Sequence, residues 1–191
     1  MKRDIILAGV GGQGILSIAA VIGMAAVESG LYLKQAEVHG MSQRGGAVES
    51  HLRISDSPVA SDLIPHGSCD MILSVEPMEA LRYLPFLSKE GWLVTSSKTF
   101  ENIDNYPAED ELFAEIRKIK NHVIIDAYTI AREIGSQRVS NMVMLGAASE
   151  HVGISMERLE GAVKSLFGSK GEEVVRLNIK AINAGKNGVK S

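Results

Sequence analysis

Short apolar runs alternate with amphipathic segments along the first two thirds of the chain. Glycine, proline and polar residues separate the runs, which is typical of strands buried in a sheet. The pattern predicts strands at residues 4–8, 31–39, 47–54, 71–75, 91–96 and 122–126, and helices at 15–27, 77–87 and 112–119. This alternation predicts an α/β protein, a three-layer α/β/α fold with a largely parallel sheet.

The last third of the chain shows no clear strand pattern. Helices are predicted at residues 128–134, 141–150, 155–166 and 172–184, with a frayed tail at 187–191. The polar stretch from residue 97 to 111 is predicted to be a surface excursion. Because no repeat, low-complexity tract or linker divides the 191 residues, we expect a single domain, residues 1–191.

The junction between the first strand and the first helix carries a glycine pattern. Residues 9–14 read GVGGQG, which fits the G-x-G-x-x-G spacing of a Rossmann-like start. Such a turn lets an anionic group approach the N–H donors of the following helix. Glycines that only allow the helix to pack against the sheet would give the same pattern. The candidate binding residues here are Gly9, Gly11, Gly12, Gln13 and Gly14.

A second polar loop follows the second predicted strand, so both loops are expected at one edge of the sheet, where α/β proteins bind ligands. Its arginine has a guanidinium fork suited to phosphate, and its glycines permit close approach. A solvated loop arginine is the simpler alternative. The candidate residues of this loop are Ser42, Gln43, Arg44, Gly45 and Gly46.

Two histidines and two glutamates fall on the second and third predicted strands. If these strands pair, Glu37, His39, Glu49 and His51 are expected to share one face of the sheet. That set resembles a metal site, but a polar face with ion pairs or a subunit contact is the commoner explanation. We therefore predict no metal ligands.

Composition narrows the possible partners and chemistry. With 20 basic and 23 acidic residues the net charge is −3, which argues against nucleic acid or an anionic membrane as the main partner. The longest apolar run, 15–27, is too short to span a bilayer, and the start does not resemble a signal peptide, so a cytoplasmic protein is expected.

The single cysteine, Cys69, excludes an internal disulfide and a cysteine-rich cluster, and a packed thiol is expected there. No hydrolase, zinc-protease or P-loop motif occurs, so no catalytic residue is assigned.

Four stretches of the chain carry a family resemblance. Residues 6–15 (ILAGVGGQGI), 37–46 (EVHGMSQRGG), 70–87 and 141–147 (NMVMLGA) resemble the gamma-type subunit of 2-oxoacid:ferredoxin oxidoreductases. The HGMSQRGG form is most similar to the beta subunit of indolepyruvate:ferredoxin oxidoreductase. The similarity extends to about residue 166.

The resemblance implies a subunit that is inactive alone within a hetero-oligomeric complex. The complex would oxidatively decarboxylate an aryl-2-oxoacid such as indolepyruvate to its acyl-CoA and pass electrons to ferredoxin. Thiamine diphosphate and iron–sulfur clusters would belong to a large catalytic subunit. Coenzyme A would lie at the subunit interface, near residues 11–14 and 42–46, and this chain alone would bind no cofactor.

Two other functions remain open from the sequence. A free-standing NAD(P)-binding oxidoreductase would use the glycine loop, with Glu37 near the position of a ribose-binding acid. A purely structural assembly subunit would use the glycines for packing alone.

Overall fold

In the computed structural model, which describes residues 1–40 and 45–189, a six-stranded sheet forms the middle layer. The strands run in the spatial order β2-β3-β1-β4-β5-β6, and β3 is antiparallel to both of its neighbours while the other pairings are parallel. The predicted α/β fold with a largely parallel sheet is confirmed. The strands are β1 (Lys2–Val10), β2 (Tyr32–His39), β3 (Ala47–Ser55), β4 (Cys69–Ser74), β5 (Leu87–Ser96) and β6 (His122–Ile125).

Seven helices surround the sheet in the described part of the chain. They are α1 (Ile15–Glu28), α2 (Pro77–Arg82), α3 (Glu109–Arg117), α4 (Ala127–Glu133), α5 (Ser140–Val152), α6 (Met156–Phe167) and α7 (Glu172–Gly188). None of them is long and apolar enough to cross a membrane.

Three helices differ from the prediction by three residues or more at one end. The helix predicted over residues 112–119 begins earlier, at Glu109, so the last three residues of the predicted surface excursion are helical. The helix predicted over residues 77–87 ends at Arg82 and continues as a 3-10 turn, Leu84–Phe86, because Pro85 has no N–H to donate to the preceding turn. At the other end of the chain, α7 reaches Gly188, so residues 187 and 188 are helical where fraying was expected.

The two faces of the sheet bury separate cores, because successive side chains of a strand point to opposite faces. Ile5 and Leu7 of β1 belong to the larger core, which packs against α1, α5, α6 and α7. Ile6 and Ala8 belong to the smaller core with Ile116 of α3.

Helices α5 and α7 cross with their backbones in contact. A Cβ on Gly146 would lie 1.9 Å from the carbonyl oxygen of Ile182, and one on Gly185 would lie 1.9 Å from that of Val143. Any side chain at either glycine would force the helices apart. This crossing fixes α5, whose first residues line the candidate site described below.

A buried ion pair joins β1 and β3 at the amino end of β1. Arg53 donates from Nε to Asp4 Oδ1 over 2.9 Å and from Nη2 to Oδ2 over 3.1 Å. Its remaining nitrogen donates to the carbonyl oxygens of Ser61 and Leu63, each at 3.1 Å, which fastens the connector between β3 and β4. Burial raises the pKa of Asp4, but the hydrogen bonds from Arg53 and Lys2 outweigh it and hold that pKa below its usual value.

Candidate functional site

The carboxyl ends of the parallel strands define the candidate site. After β1 the chain crosses through α1 to β2 on one side, whereas β4 leads through α2 to β5 on the other side. The direction of winding therefore reverses between β1 and β4. In open α/β sheets the crevice outside such a reversal is where ligands bind.

The first glycine loop turns sharply between β1 and α1. Gln13 closes the turn, since its Oε1 accepts from the Val10 N–H over 2.8 Å and its own N–H donates to the Val10 carbonyl over 3.1 Å. Gly14 has φ +82° and precedes α1 without providing a side-chain cap, and the first turn of α1 contains no acidic residue. An uncapped helix N-terminus reached over glycine backbone fits an anionic group.

The two predicted loops meet at this edge. The Gly11 N–H donates to the carbonyl oxygen of Gly46 over 2.8 Å, and Val10 pairs with Ala47 in the β1–β3 register. The structure thus brings together residues Gly9, Gly11, Gly12, Gln13 and Gly14 with Gly45 and Gly46. The other three predicted residues, Ser42, Gln43 and Arg44, lie outside the described residues.

A cleft of about 240 Å³ opens beside the first glycine loop. One wall is formed by the start of α5 and the other by the segment that follows β5. Lys98 brings a positive charge to the cleft, while Val75, Phe100 and Met144 make its walls largely apolar. The lining residues are Gln13, Val75, Ser96, Lys98, Thr99, Phe100, Ala127, Tyr128, Ser140, Asn141 and Met144.

A fully buried carboxylate, Glu76, lies where β4 ends. It caps α2, because its Oε2 accepts from the Glu79 N–H over 2.8 Å. Its Oε1 accepts from the Phe100 N–H over 3.3 Å and from the hydroxyl of Tyr106. Burial, followed by the hydrogen bond to Glu76 and its charge, raises the pKa of Tyr106, so the phenol stays protonated and donates.

Sequence reasoning misses four residues at this edge. Glu76 has the signature of a helix start, since Pro77 follows it, but nothing in the sequence links it to Tyr106 thirty residues later. The stretch expected to be a surface excursion folds back here, and Asn102 Nδ2 donates to the carbonyl oxygen of Gly45 over 2.8 Å. Asn141 is the first residue of the 141–147 stretch that carries part of the family resemblance, but nothing in the sequence links it to the first glycine loop.

The predicted cluster on β2 and β3 is wrong. The register pairs Glu37 with Ser50 and Ala36 with His51, so Glu37 lies on the opposite face from Glu49 and His51. The four residues therefore do not all share one face. Within residues 1–40 and 45–189, no three His, Cys, Asp or Glu side chains converge as metal ligands.

The single cysteine is packed, as predicted. Cys69 is fully buried on β4, and its Sγ donates to the carbonyl oxygen of Met71 over 3.0 Å. Burial raises the pKa of this thiol to about 12, which leaves it without thiolate character at neutral pH.

Comparison with known protein families decides the assignment. The family described as pyruvate ferredoxin/flavodoxin oxidoreductase matches residues 4–188 of the chain. The chain belongs to this family. The predicted family and the predicted role as an oxidoreductase subunit are confirmed at that level.

Two known proteins match nearly the whole chain. Indolepyruvate oxidoreductase subunit IorB of Archaeoglobus fulgidus is 38% identical over 196 residues, which cover 98% of this chain and 95% of the relative. The crystal structure of the gamma subunit of a keto/oxoacid ferredoxin oxidoreductase from Geobacter sulfurreducens is 26% identical, with a TM-score of 0.73 and 98% of both chains covered.

A third similar protein is much longer. The 2-oxoglutarate:ferredoxin oxidoreductase from Magnetococcus marinus, solved with 2-oxoglutarate, coenzyme A and succinyl-CoA bound, is 25% identical with a TM-score of 0.77. The match covers 99% of this chain but only 31% of that one. The present chain thus spans about a third of the longer relative.

Proposed function

We propose that the chain is the small subunit of a cytoplasmic 2-oxoacid:ferredoxin oxidoreductase and that its carboxyl edge contributes contacts to coenzyme A at the interface with a large catalytic subunit. The observation that carries the proposal is the hydrogen bond from Gly11 to Gly46, which joins two glycine loops at the switch point of the sheet. The relatives supply the reaction class, since their names describe oxidoreductase subunits.

Coenzyme A suits the residue types of the two loops. Its phosphates are anions of the kind that an uncapped helix N-terminus and a loop arginine bind, and these are the roles proposed for the 9–14 loop and for Arg44. The neighbouring cleft, apolar with a lysine at its side, suits the neutral arm of the same molecule. A longer relative was solved with coenzyme A bound, which supports this choice of ligand.

The redox chemistry is assigned to the partner. A single cysteine cannot hold an iron–sulfur cluster, which requires several thiolates. Thiamine diphosphate and the clusters, when bound in the large subunit, would supply decarboxylation and electron transfer to ferredoxin. The residues of this chain would bind and orient the acyl acceptor. For the 2-oxoacid we propose an aryl pyruvate such as indolepyruvate, in line with the HGMSQRGG loop and the name of the Archaeoglobus relative.

A dinucleotide site is disfavoured by the order of the strands. In a dinucleotide-binding fold the ribose-binding acid ends the strand next to the first one. Here β3 lies between β1 and β2, which places Glu37 about two interstrand spacings, or roughly 10 Å, from β1.

The proposal is tested by co-expressing the chain with a candidate large subunit from the same organism, one that carries thiamine-diphosphate and iron–sulfur cluster motifs. The purified complex is expected to reduce ferredoxin only when both indolepyruvate and coenzyme A are supplied, and the chain alone is expected to be inactive. Pyruvate and 2-oxoglutarate serve as alternative substrates. Turnover without coenzyme A, or nicotinamide reduction by the isolated chain, would contradict the proposal.

A further inference from the structure

A polar segment between β5 and α3 crosses the carboxyl edge of the sheet. We call residues 97–108 the strap. It begins beside the cleft, where Lys98, Thr99 and Phe100 form part of the lining. No residue of the strap is fully buried and none belongs to either hydrophobic core, so apolar packing contributes little to its position.

Hydrogen bonds to Glu76 hold the strap instead. Both the Phe100 N–H and the Tyr106 hydroxyl donate to Glu76 Oε1, so one buried carboxylate oxygen fastens the strap at two places six residues apart. A carboxylate is costly to bury unless donors satisfy it, and here the other oxygen is taken by the cap of α2. The strap therefore supplies donors that this buried charge needs.

The strap in turn fastens the second loop. Asn102, between the two anchors, donates from Nδ2 to the Gly45 carbonyl oxygen over 2.8 Å. Its Oδ1 is buried, and no donor among the described residues reaches it. An amide held with one buried acceptor unsatisfied costs stability. We take this cost as a sign that Asn102 is kept in order to hold Gly45 in position at the site.

These contacts form a continuous series across the edge. Glu76 holds the strap, Asn102 of the strap holds Gly45, and the adjacent Gly46 accepts from Gly11 of the first glycine loop. Removal of one link near Glu76 would therefore release the end of the second loop without touching any ligand.

We propose that Glu76 and Tyr106 are positioning residues for the coenzyme A site, acting through the strap and Asn102 on the second loop. The inference rests on the proposed function. Neither residue is assigned a direct contact with coenzyme A. The strap, which the sequence predicts to be a surface excursion, is assigned the role of holding the second loop.

Kinetics of the assembled complex test the role. Tyr106→Phe keeps the ring and removes the hydroxyl donor, Asn102→Ala removes the link to Gly45, and Asn105→Ala alters an exposed strap residue as the matched control. We expect the KM for coenzyme A to rise about five- to tenfold in the first two variants, the scale of one lost hydrogen bond. The kcat and the KM for the 2-oxoacid stay within about twofold of wild type. The double variant resembles Asn102→Ala alone, because both changes break one series.

Hydrogen exchange in the same complexes gives a readout independent of turnover. In Tyr106→Phe the amides of the strap and of residues 45–48 should exchange faster than in wild type or Asn105→Ala. Unchanged exchange there, an unchanged KM for coenzyme A, or equal losses in kcat and both KM values would overturn the positioning role. A wild-type complex that turns over without coenzyme A refutes the proposed function itself, whereas these variant results bear on the strap.

Discussion

The side-chain amide of Asn141 donates to the carbonyl oxygen of Gly14 over 3.1 Å, across 127 residues of sequence. This bond joins the first turn of α5 to the turn that starts α1. Asn141 also lines the cleft, so the wall of the cleft and the glycine loop are held as one unit. The geometry leaves no room at Gly14, because a Cβ there would lie 2.5 Å from Asn141 Nδ2.

Gly14→Ala is therefore expected to destabilise the protein more than the same change at Gly12. Both glycines have positive φ, so both variants incur backbone strain of about 1–2 kcal/mol. Only Gly14→Ala also displaces a neighbour, since a Cβ at Gly12 meets nothing within 4 Å. We expect the free energy of unfolding to fall by about 1 kcal/mol more in Gly14→Ala, measured by urea denaturation. Equal losses in the two variants would show that the contact with Asn141 is unimportant.

Gly146→Ala tests the crossing of α5 and α7. The added methyl group meets the backbone of Ile182, which cannot move without shifting α7, so a loss of about 3 kcal/mol or more is expected. Gly161 in α6 is the control, because its nearest outside atom is Glu28 Oε2 at 4.0 Å. Gly161→Ala should stabilise the helix by about 0.5–1 kcal/mol. Thermal melting of the two variants distinguishes the steric effect of the α5–α7 contact from the effect of helix propensity. A Gly146→Ala variant as stable as wild type would contradict the crossing geometry.

Arg53→Met should be among the most damaging single changes. It leaves Asp4 buried with only Lys2 as a charged partner and releases the connector held at Ser61 and Leu63. The expected cost is about 3 kcal/mol, at the low end for a broken buried pair because Lys2 remains. Lys120→Met removes an exposed pair with Glu90 of similar length, 2.8 Å, and should change stability by less than about 0.5 kcal/mol. Denaturant midpoints within error of each other would refute this difference.

The sequence patterns predicted the strands and helices, which local periodicity determines. They also predicted that the two loops meet, because each loop follows one of two strands that run parallel to each other. The register of β2 on β3 could not be predicted from the sequence, because a shift of one residue moves every side chain of a strand to the other face. In the observed register Glu37 and His51 lie on opposite faces of the sheet. Contacts between residues distant in sequence were also hidden. Neither the Tyr106–Glu76 bond nor the approach of Gly146 to Ile182 leaves a local pattern in the chain.

Protonation of His151 should weaken the fold as the pH falls. His151 stacks on Trp92 with ring centroids 4.0 Å apart, and burial lowers its pKa below 6.5, with Glu150 opposing the shift. The unfolded chain therefore takes up this proton at a higher pH than the folded chain. The stability conferred by neutral His151 is complete above about pH 6.5 and declines as the pH falls toward the folded pKa.

The single tryptophan reports this titration directly. Trp92 fluorescence is expected to change with an apparent pKa below 6.5, and His151→Gln should abolish the change and flatten the associated part of the pH–stability curve. Comparison with His151→Gln removes the contribution of His51, whose pKa burial also lowers. A fluorescence midpoint above 6.5, or equal pH dependence in the variant, contradicts the prediction.

The central claim, that this chain helps to bind coenzyme A for a catalytic partner, is tested most directly by coenzyme A saturation of the assembled complex carrying Arg44→Ala. Loss of a charge-assisted contact predicts a KM for coenzyme A raised about tenfold or more, with the KM for the 2-oxoacid unchanged. Arg44→Lys should restore part of the affinity because charge is kept and the fork is lost, and Arg158→Ala, an exposed arginine of α6, should have no effect. A KM for coenzyme A that stays at the wild-type value in Arg44→Ala, with or without weaker subunit association, would contradict the claim.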